Sequence, residues 1–401
     1  VTVITPTAVR RRAPLALGAC LLSFAAFWIA QRAAHVSMID LMVYRAEGAT
    51  VRAGGDLYAL RATAAQLPAT YPPFAALLFT PLTLLDTGSL RTLATAGNLA
   101  LLVVFVRLSL RLVGHARVET VWWASAVLVW CEPVWTTLRY GQVNLLLAVL
   151  VLWDLSRRPG DRWAGVGIGL AAAVKLTPAL FAVFLLATGV VAHLRHRKGP
   201  WLRHARGAAG SFAWATLLAA AVLPYDSWRF WTDAVFRADR VGHPEQTANQ
   251  ALRGVLARLL HTPEPGALWV VVAAVVAVGG LAVAVRAELR GERACAVVSC
   301  ALTALLVSPV SWSHHWVWCV PLALLLCLRG HRTAAAGTLL VFCSYALWWV
   351  PHRGGRPELH QNGIEFTLSA LYAVVGCVFL VRAATAPRVS DRTKDQAVTN
   401  E

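Results

Sequence analysis

The sequence predicts an all-α polytopic membrane protein, and three observations carry that prediction. Of the 401 residues, 58% are hydrophobic and only 14% charged, whereas a water-soluble domain carries about a quarter charged residues to coat its surface. The few charges gather in short clusters between long apolar runs. The balance of 37 Lys+Arg against 20 Asp+Glu, a net +17, recurs at the ends of those runs, as orientation signals and contacts with anionic membrane lipids do. A soluble enzyme, a disordered chain and a disulfide scaffold are excluded. Nucleic acid is not an expected partner, because no basic stripe is interleaved with exposed aromatics.

The first apolar stretch, 13–30, follows Arg10-Arg11-Arg12. This start is similar to a secretory signal peptide, but about 18 apolar residues are long for a signal core. A retained first helix with a cytoplasmic flank is expected. Further stretches fall at about 71–85, 90–106, 120–138, 143–156, 163–174, 179–193 and 208–224, then at 267–285, 294–309, 317–328, 333–351 and 364–382. Several are shorter than the ~20 residues an upright crossing needs, so they must be half-helices shielded by protein or walls of a wet cavity.

Arginine-rich connections at 107–117, 157–162, 193–206, 286–293 and 329–332 are expected in the cytoplasm. Alternation then places 31–70, 139–142, 175–178, 225–266, 310–316 and 352–363 outside. About 12 crossings result if 71–85, opening with Tyr71-Pro72-Pro73-Phe74, is re-entrant or interfacial. Residues 1–383 read as one transmembrane domain and 384–401 as a disordered cytoplasmic tail. The outer loops 31–70 and 225–266 collect polar residues at the membrane surface, where transporters more often place them at the midplane. Chemistry at the outer face is expected.

Asp40, about ten residues beyond the first helix, is the leading candidate for a general base. Partial desolvation raises a carboxylate's pKa, and a nearby cation such as Arg45 opposes that. The structural alternative is that Asp40 caps its helix and pairs with a surface arginine. Glu47 competes for the same role. The string from Pro309 to Trp316 joins Ser311, Trp312, Ser313, His314 and His315; imidazoles at headgroup level suit a lipid phosphate, while interfacial packing remains the alternative. Arg139-Tyr140-Gly141-Gln142-Val143-Asn144 offers amides for sugar hydroxyls, or a polar turn. Lys175, in Lys175-Leu176-Thr177-Pro178, is a charge within an apolar region, which functions there or snorkels outward. In the second long loop Tyr225, Trp228 and Trp231 precede Asn249-Gln250-Ala251-Leu252-Arg253-Gly254, a set suited to stacking on sugar or to anchoring at the interface.

The eight cysteines form no CxxC pair and read as small hydrophobes packed between helices. Adjacent histidines on a helix diverge by about 100°, so no metal site is expected. No P-loop, GxSxG elbow or DxD pair is present, and the lack of DxD disfavours a nucleotide-sugar donor.

Asp40, the Tyr71 string, Gly141-Gln142-Val143-Asn144, Lys175 through Pro178, Asn249 through Gly254 and Ser311 through Trp316, in this order and spacing, resemble the actinobacterial membrane glycosyltransferases of family 87. That family, of the GT-C class, includes polyprenyl-phosphate-mannose-dependent α-(1→2)-mannosyltransferases. The resemblance covers about residues 35–380. It implies a GT-C fold in the plasma membrane with its active site on the extracytoplasmic face, a polyprenyl-phosphate sugar donor and a glycolipid or glycan acceptor. Asp40 would act as base in an inverting displacement, and His314 or His315, Lys175 and Arg253 would hold the donor phosphate. Arg45, Glu47, Tyr71, Gln142, Asn144, Asn249, Gln250 and Trp312 would line the sugar and acceptor site. No cofactor is expected. Mannose is the default sugar; arabinofuranose transfer is the close alternative, and a lipid or solute transporter or flippase is the alternative of a different class.

Overall fold

The computed structural model describes residues 6–386 apart from 116, 159 and 353, and 74% of the described residues are helical. Most of the expected tail, 387–401, lies outside the described residues. Helix α1 (Pro6–Ala33) ends ahead of two left-handed residues, His35 and Met38, and Met38 caps α2 (Ile39–Arg52). Helix α2 buries Leu41, Val43, Tyr44 and Glu47. At Gly48 it lies so close to the chain at Phe79 that a Cβ would stand 2.5 Å from that carbonyl oxygen. The following loop holds a small antiparallel hairpin, β1 (Arg61–Ala62) with β2 (Leu67–Pro68), which corrects the all-α expectation locally. Helix α3 (Pro73–Phe79) and a 3-10 turn, Thr80–Leu84, occupy the expected 71–85 stretch and are too short to cross a bilayer upright.

Helix α4 (Thr87–Leu112), capped by Asp86, is long. The stretch expected at 120–138 is instead two helices, α5 (Val118–Leu128) and α6 (Glu132–Tyr140). Pro133 in the first turn of α6 cannot continue a helix from α5, because it has no N–H to donate. Helix α7 (Asn144–Leu155) turns back from α6 through 117° at Gly141, whose φ of 69° suits glycine. Helices α8 (Val166–Val174) and α9 (Ala179–Leu194) form a short hairpin with Lys175 at its turn. Helix α10 (Trp201–Val222) packs on both.

Short helices α11 (Pro224–Thr232) and α12 (Leu252–Leu259) lie in the second long loop. The bundle resumes with α13 (Gly266–Leu289), α14 (Arg293–Val307), α15 (Cys319–Leu328) and α16 (Arg332–Cys343). It closes with α17 (Gly363–Ser369), held by an Asn362–Glu365 capping box, and α18 (Leu371–Thr385), bent 67° from it.

By length and composition three helices, at Ala13–Ala33, Thr87–Leu112 and Gly266–Leu289, reach the length of a crossing, and five do if each bent pair is one span. The other apolar helices are shorter. Contacts sort the connections into two ends. At one, Arg197 donates to the Leu289 carbonyl at 2.6 Å, Trp201 to Glu288 at 3.0 Å, and Arg329 pairs with Glu292 at 3.1 Å. At the other, Asp56 pairs with Arg229, and Arg240 donates to the carbonyl of Tyr58 at 2.9 Å. The connections 193–206, 286–293 and 329–332 thus meet at one end of α13, and the two long loops meet at the other.

Close helix approach depends on small residues. A Cβ on Gly169 of α8 would stand 2.0 Å from Ser211 Oγ and 2.2 Å from the Ala208 carbonyl of α10, whereas one on Gly97 of α4 meets nothing within 4 Å. Gly169→Leu is therefore expected to destabilise the protein by more than the ~1–3 kcal/mol of ordinary overpacking. Gly97→Ala should be neutral or stabilising by up to about 1 kcal/mol. Thermal unfolding in detergent compares the two.

Candidate active site

The site is assembled at the end that carries the long loops, from α2, α6, α7, the α8–α9 turn and the 3-10 segment Ser313–Trp318. Asp40 sits in the first turn of α2, where it caps nothing: the cap residue is Met38 and no side chain bonds the free amides. Its Oδ2 accepts from Gln142 Nε2 at 2.7 Å. Gln142 Oε1 in turn accepts from Tyr44 at 2.7 Å and stands 3.1 Å from the Tyr71 hydroxyl, and the two hydroxyls lie 2.9 Å apart. The amide is thereby oriented with its donor toward the carboxylate. Among the described residues Gln142 is the sole hydrogen-bond partner of the Asp40 carboxylate, and Oδ1 has none. Burial pushes the Asp40 carboxyl above its ordinary range, while the Gln142 hydrogen bond and the Lys175 charge oppose that rise.

Lys175 holds the other half. Its Nζ is 2.9 Å from His315 Nε2, 3.2 Å from Asn144 Oδ1 and 3.5 Å from the Tyr71 hydroxyl. A charged ammonium donates to all three, so His315 accepts on Nε2 and carries its proton on Nδ1. Burial brings Lys175 down to about 7, with the Asp40 charge pulling the other way. The partner of His315 in sequence, His314, packs edge-on against the rings of Tyr140 and His315, 5.4 Å and 4.7 Å between centroids. Its Nε2 is buried without a partner, and its carbonyl accepts from Thr137 and Asn144, both at 2.9 Å. Below Lys175 and His315 a narrow crevice of about 40 Å³ runs between α7, α9 and α14, walled by Leu147, Val151, Phe181 and Leu305. Its mouth is cationic and its walls are apolar.

Asp40, Tyr71, Gln142, Asn144, Lys175, His314 and His315 are thus brought together. Arg45 is not beside Asp40; it reaches the Leu85 carbonyl at 3.4 Å. Five residues on a helix turn a side chain about 140° away, and Gln142 and Lys175 take the place expected for Arg45. Glu47, seven residues on, returns to the face of Asp40 but about 10 Å along the axis. It is 1% exposed with neither oxygen hydrogen-bonded in good geometry, and burial raises it to about 8. Arg253 stacks over Trp269, 5.5 Å from its centroid, away from Lys175. Asn249 and Gln250 act as clamps. Asn249 Oδ1 accepts from the amides of Ala251 and Ser311 at 3.1 and 3.0 Å, and the Gln250 amide donates to the Ser311 and Gln250 Nε2 to the Ser369 carbonyl, at 2.8 and 2.6 Å. They hold the strand-like segment before the histidines, where Trp312 bridges to Asn249 and its ring lies against Gly242.

Three groups were not singled out in the sequence. Tyr44 orients Gln142. Arg258, one turn beyond Arg253, is fully buried and donates to the carbonyls of Gln246, Asn249 and Ser369 at 2.9 to 3.1 Å. Glu132 is also fully buried: Oε1 accepts from Thr136, Ser313 and Trp348 at 2.8, 2.8 and 3.0 Å, and Oε2 from Tyr372 at 3.0 Å. The Ser313 bond sets the start of the histidine segment. Arg258 had a signal in the spacing of four that puts it with Gly254 on the buried face of α12; Glu132, in Cys131-Glu132-Pro133, reads only as a helix start.

Replacing Glu132 with Ala strips four buried donors of their acceptor at a cost of about 1–3 kcal/mol each. The melting temperature of Glu132→Ala in detergent should fall by well over that of Glu132→Gln, which keeps one acceptor oxygen. Equal melting temperatures would show that the carboxylate does not organise this segment.

The family model for glycosyltransferase family 87 matches residues 69–309. A polyprenol-phosphate-mannose-dependent alpha-(1-2)-phosphatidylinositol mannoside mannosyltransferase of Mycobacterium tuberculosis is 35% identical over 71% of this chain and 68% of its own. A protein of the same name from Mycolicibacterium smegmatis is 36% identical over 78% and 75%. A polyprenol-phosphate-mannose-dependent alpha-(1-2)-phosphatidylinositol pentamannoside mannosyltransferase of that organism is 34% identical over 86% and 83%. No solved structure matches. A family match over more than half of the chain, with relatives aligned along most of it, means that the protein belongs to glycosyltransferase family 87.

Proposed function

We propose that the protein is a GT-C membrane glycosyltransferase that moves mannose from a polyprenyl-phosphate donor to a hydroxyl of a phosphatidylinositol-mannoside-type acceptor, with inversion, at the extracytoplasmic face of the plasma membrane. The observation that carries this reading is the continuous polar line from Asp40 through Gln142 and Tyr71 to Lys175 and His315, ending over an apolar crevice. A base and a cationic phosphate site are thereby held a few side chains apart, with a hydrocarbon-lined groove below the cation. An isoprenoid chain with a phosphate head has that same division. The relatives' names supply the sugar and the acceptor class. The collection of arginine-rich connections at the opposite end supports the choice of face.

In the reaction Asp40 accepts the proton of the acceptor hydroxyl as its oxygen attacks the anomeric carbon. The bond from that carbon to the phosphate oxygen breaks, and its electron pair leaves with the polyprenyl phosphate. Lys175 and His315 stabilise the charge gained by the leaving group, which needs no proton of its own. Gln142 is a positioning residue: it holds one carboxylate oxygen so that the other faces the acceptor.

Purified protein in liposomes, given radiolabelled polyprenyl-phosphate mannose and a phosphatidylinositol mannoside, should form a longer glycolipid. Asp40→Asn should lower turnover by about 100- to 10,000-fold. Full turnover by that variant, or sugar-lipid translocation without transfer by the wild type, would overturn the reading in favour of transport. The pH profile supplies a second check. Asp40 must be ionised, so activity rises with pH through a limb displaced above the ordinary carboxylate range, and it falls again as Lys175 loses its proton near 7. In Lys175→Met the falling limb should be absent and the remaining rate about 100-fold lower.

A further inference from the structure

A second polar cavity, of about 360 Å³, lies between the end of α1 and the start of α4 and takes no part in the chemistry above. Its size is within the range of small-molecule sites, about 300–1,000 Å³. Both helices pack on α5. Trp28, Gln31 and Arg32 contribute from α1, His35 and Met38 from the connection to α2, and Arg91 from α4. Among the described residues no Asp or Glu lines the cavity.

Two of these residues are in a state that points to a ligand. Gln31 is 6% exposed, yet neither its amide nitrogen nor its amide oxygen has a hydrogen-bond partner among the described residues. The Arg91 Nε is also buried and unpartnered. Leaving such groups buried and unpaired is costly, and a bound ligand offering acceptors and donors removes that cost. Two guanidinium groups and an imidazole without a carboxylate select an anion, and the planar guanidinium fork matches phosphate. The primary amide, with one acceptor and one donor side, suits hydroxyls next to that phosphate.

The surroundings are those of a lipid. Ile29 on α1 and Leu93 on α4 are widely exposed within one turn of cavity-lining residues, and Leu22 is exposed less than two turns from Trp28. Acyl chains therefore have an apolar surface below the polar head. The cavity also abuts the catalytic helix. Met38 lines it and caps α2, and Met38 packs toward Gly141, where a Cβ would stand 3.3 Å from its own. Asp40 is two residues on, at most about 7 Å of chain away.

We propose that this cavity binds the phosphodiester headgroup of the glycolipid acceptor and presents the attached glycan to Asp40. The inference rests on the transfer proposed above and adds where the acceptor's phosphate sits. Asp40 then stands between two cationic sites, one for each lipid, with the donor phosphate at Lys175 and His315 and the acceptor phosphate at Arg32 and Arg91.

The test uses the full-length protein in liposomes with two acceptors, a phosphatidylinositol mannoside and octyl mannoside, which lacks the phosphodiester. Arg91→Gln and Gln31→Leu should each raise KM for the phosphatidylinositol mannoside about tenfold while its kcat holds, with less than a twofold rise for octyl mannoside or for the donor. Arg91→Lys should recover part of the loss. Phosphatidylinositol should compete with the lipid acceptor, and free inositol phosphate at equal concentration should not. An equal rise for both acceptors, a rise confined to the donor, or equal competition by inositol phosphate would each overturn the assignment. Native mass spectrometry of retained phosphatidylinositol, wild type against Arg91→Gln, reads the cavity without any turnover. A wild type that transfers no sugar but loses this lipid on Arg91→Gln overturns the transfer reading and leaves the lipid site standing. Equal retention by both proteins overturns the lipid site.

Discussion

Glu132 receives hydrogen bonds from four separate places in the chain, and the rest of the site depends on that convergence. Thr136 is one turn away on the same helix, but Ser313, Trp348 and Tyr372 arrive from 181, 216 and 240 residues away. In an apolar interior a carboxylate is tolerated only when its oxygens are occupied, so the four donors and the acceptor hold one another in place. Moving any one segment takes its donor away from the carboxylate. The histidine segment, which has only a 3-10 turn of its own, is thereby held firmly against α6. Thr137 and Asn144 add two bonds to the His314 carbonyl, so backbone and side chains of the segment are tied to the same bent pair of helices.

That bent pair also reaches the other half of the site. Gly141 stands at the 117° bend, and a Cβ there would lie 2.6 Å from that of Leu41. The contact lets Gln142 meet Asp40 and keeps α2 in register with α7. Acid, amide, phenols, ammonium and imidazole form one hydrogen-bonded sequence whose members belong to five different segments. Its charges are opposed across a short distance: the Asp40 and Lys175 charges steady each other while burial works against both.

Much of this was legible in the sequence because a membrane protein has few polar residues to distribute. Asp40, Gln142, Asn144, Lys175 and His315 are exceptions within apolar or interfacial surroundings, and exceptions of that kind are readable. What was not legible depends on which way a side chain turns. Arg253 and Arg258 look alike on paper, but α12 buries the second and leaves the first to stack on Trp269. Arg45 is near Asp40 in number and on another side of the helix. Glu132 and Tyr44 take their roles from partners about a hundred residues away or more, and no local pattern encodes those distances. The split of the 120–138 stretch was likewise beyond local reading, since Pro133 breaks an apolar run whose hydropathy is continuous.

The crevice beneath Lys175 has one further consequence. About 40 Å³ is room for a few water molecules, and an isoprenoid chain is far larger. On the proposed reading the donor's tail can be seated only if α7, α9 and α14 part, and closely packed interiors resist that because each contact given up must be replaced. Donor loading is on that reading coupled to helix packing: the side chains that close the crevice give up contacts with one another and take them up with the isoprenoid.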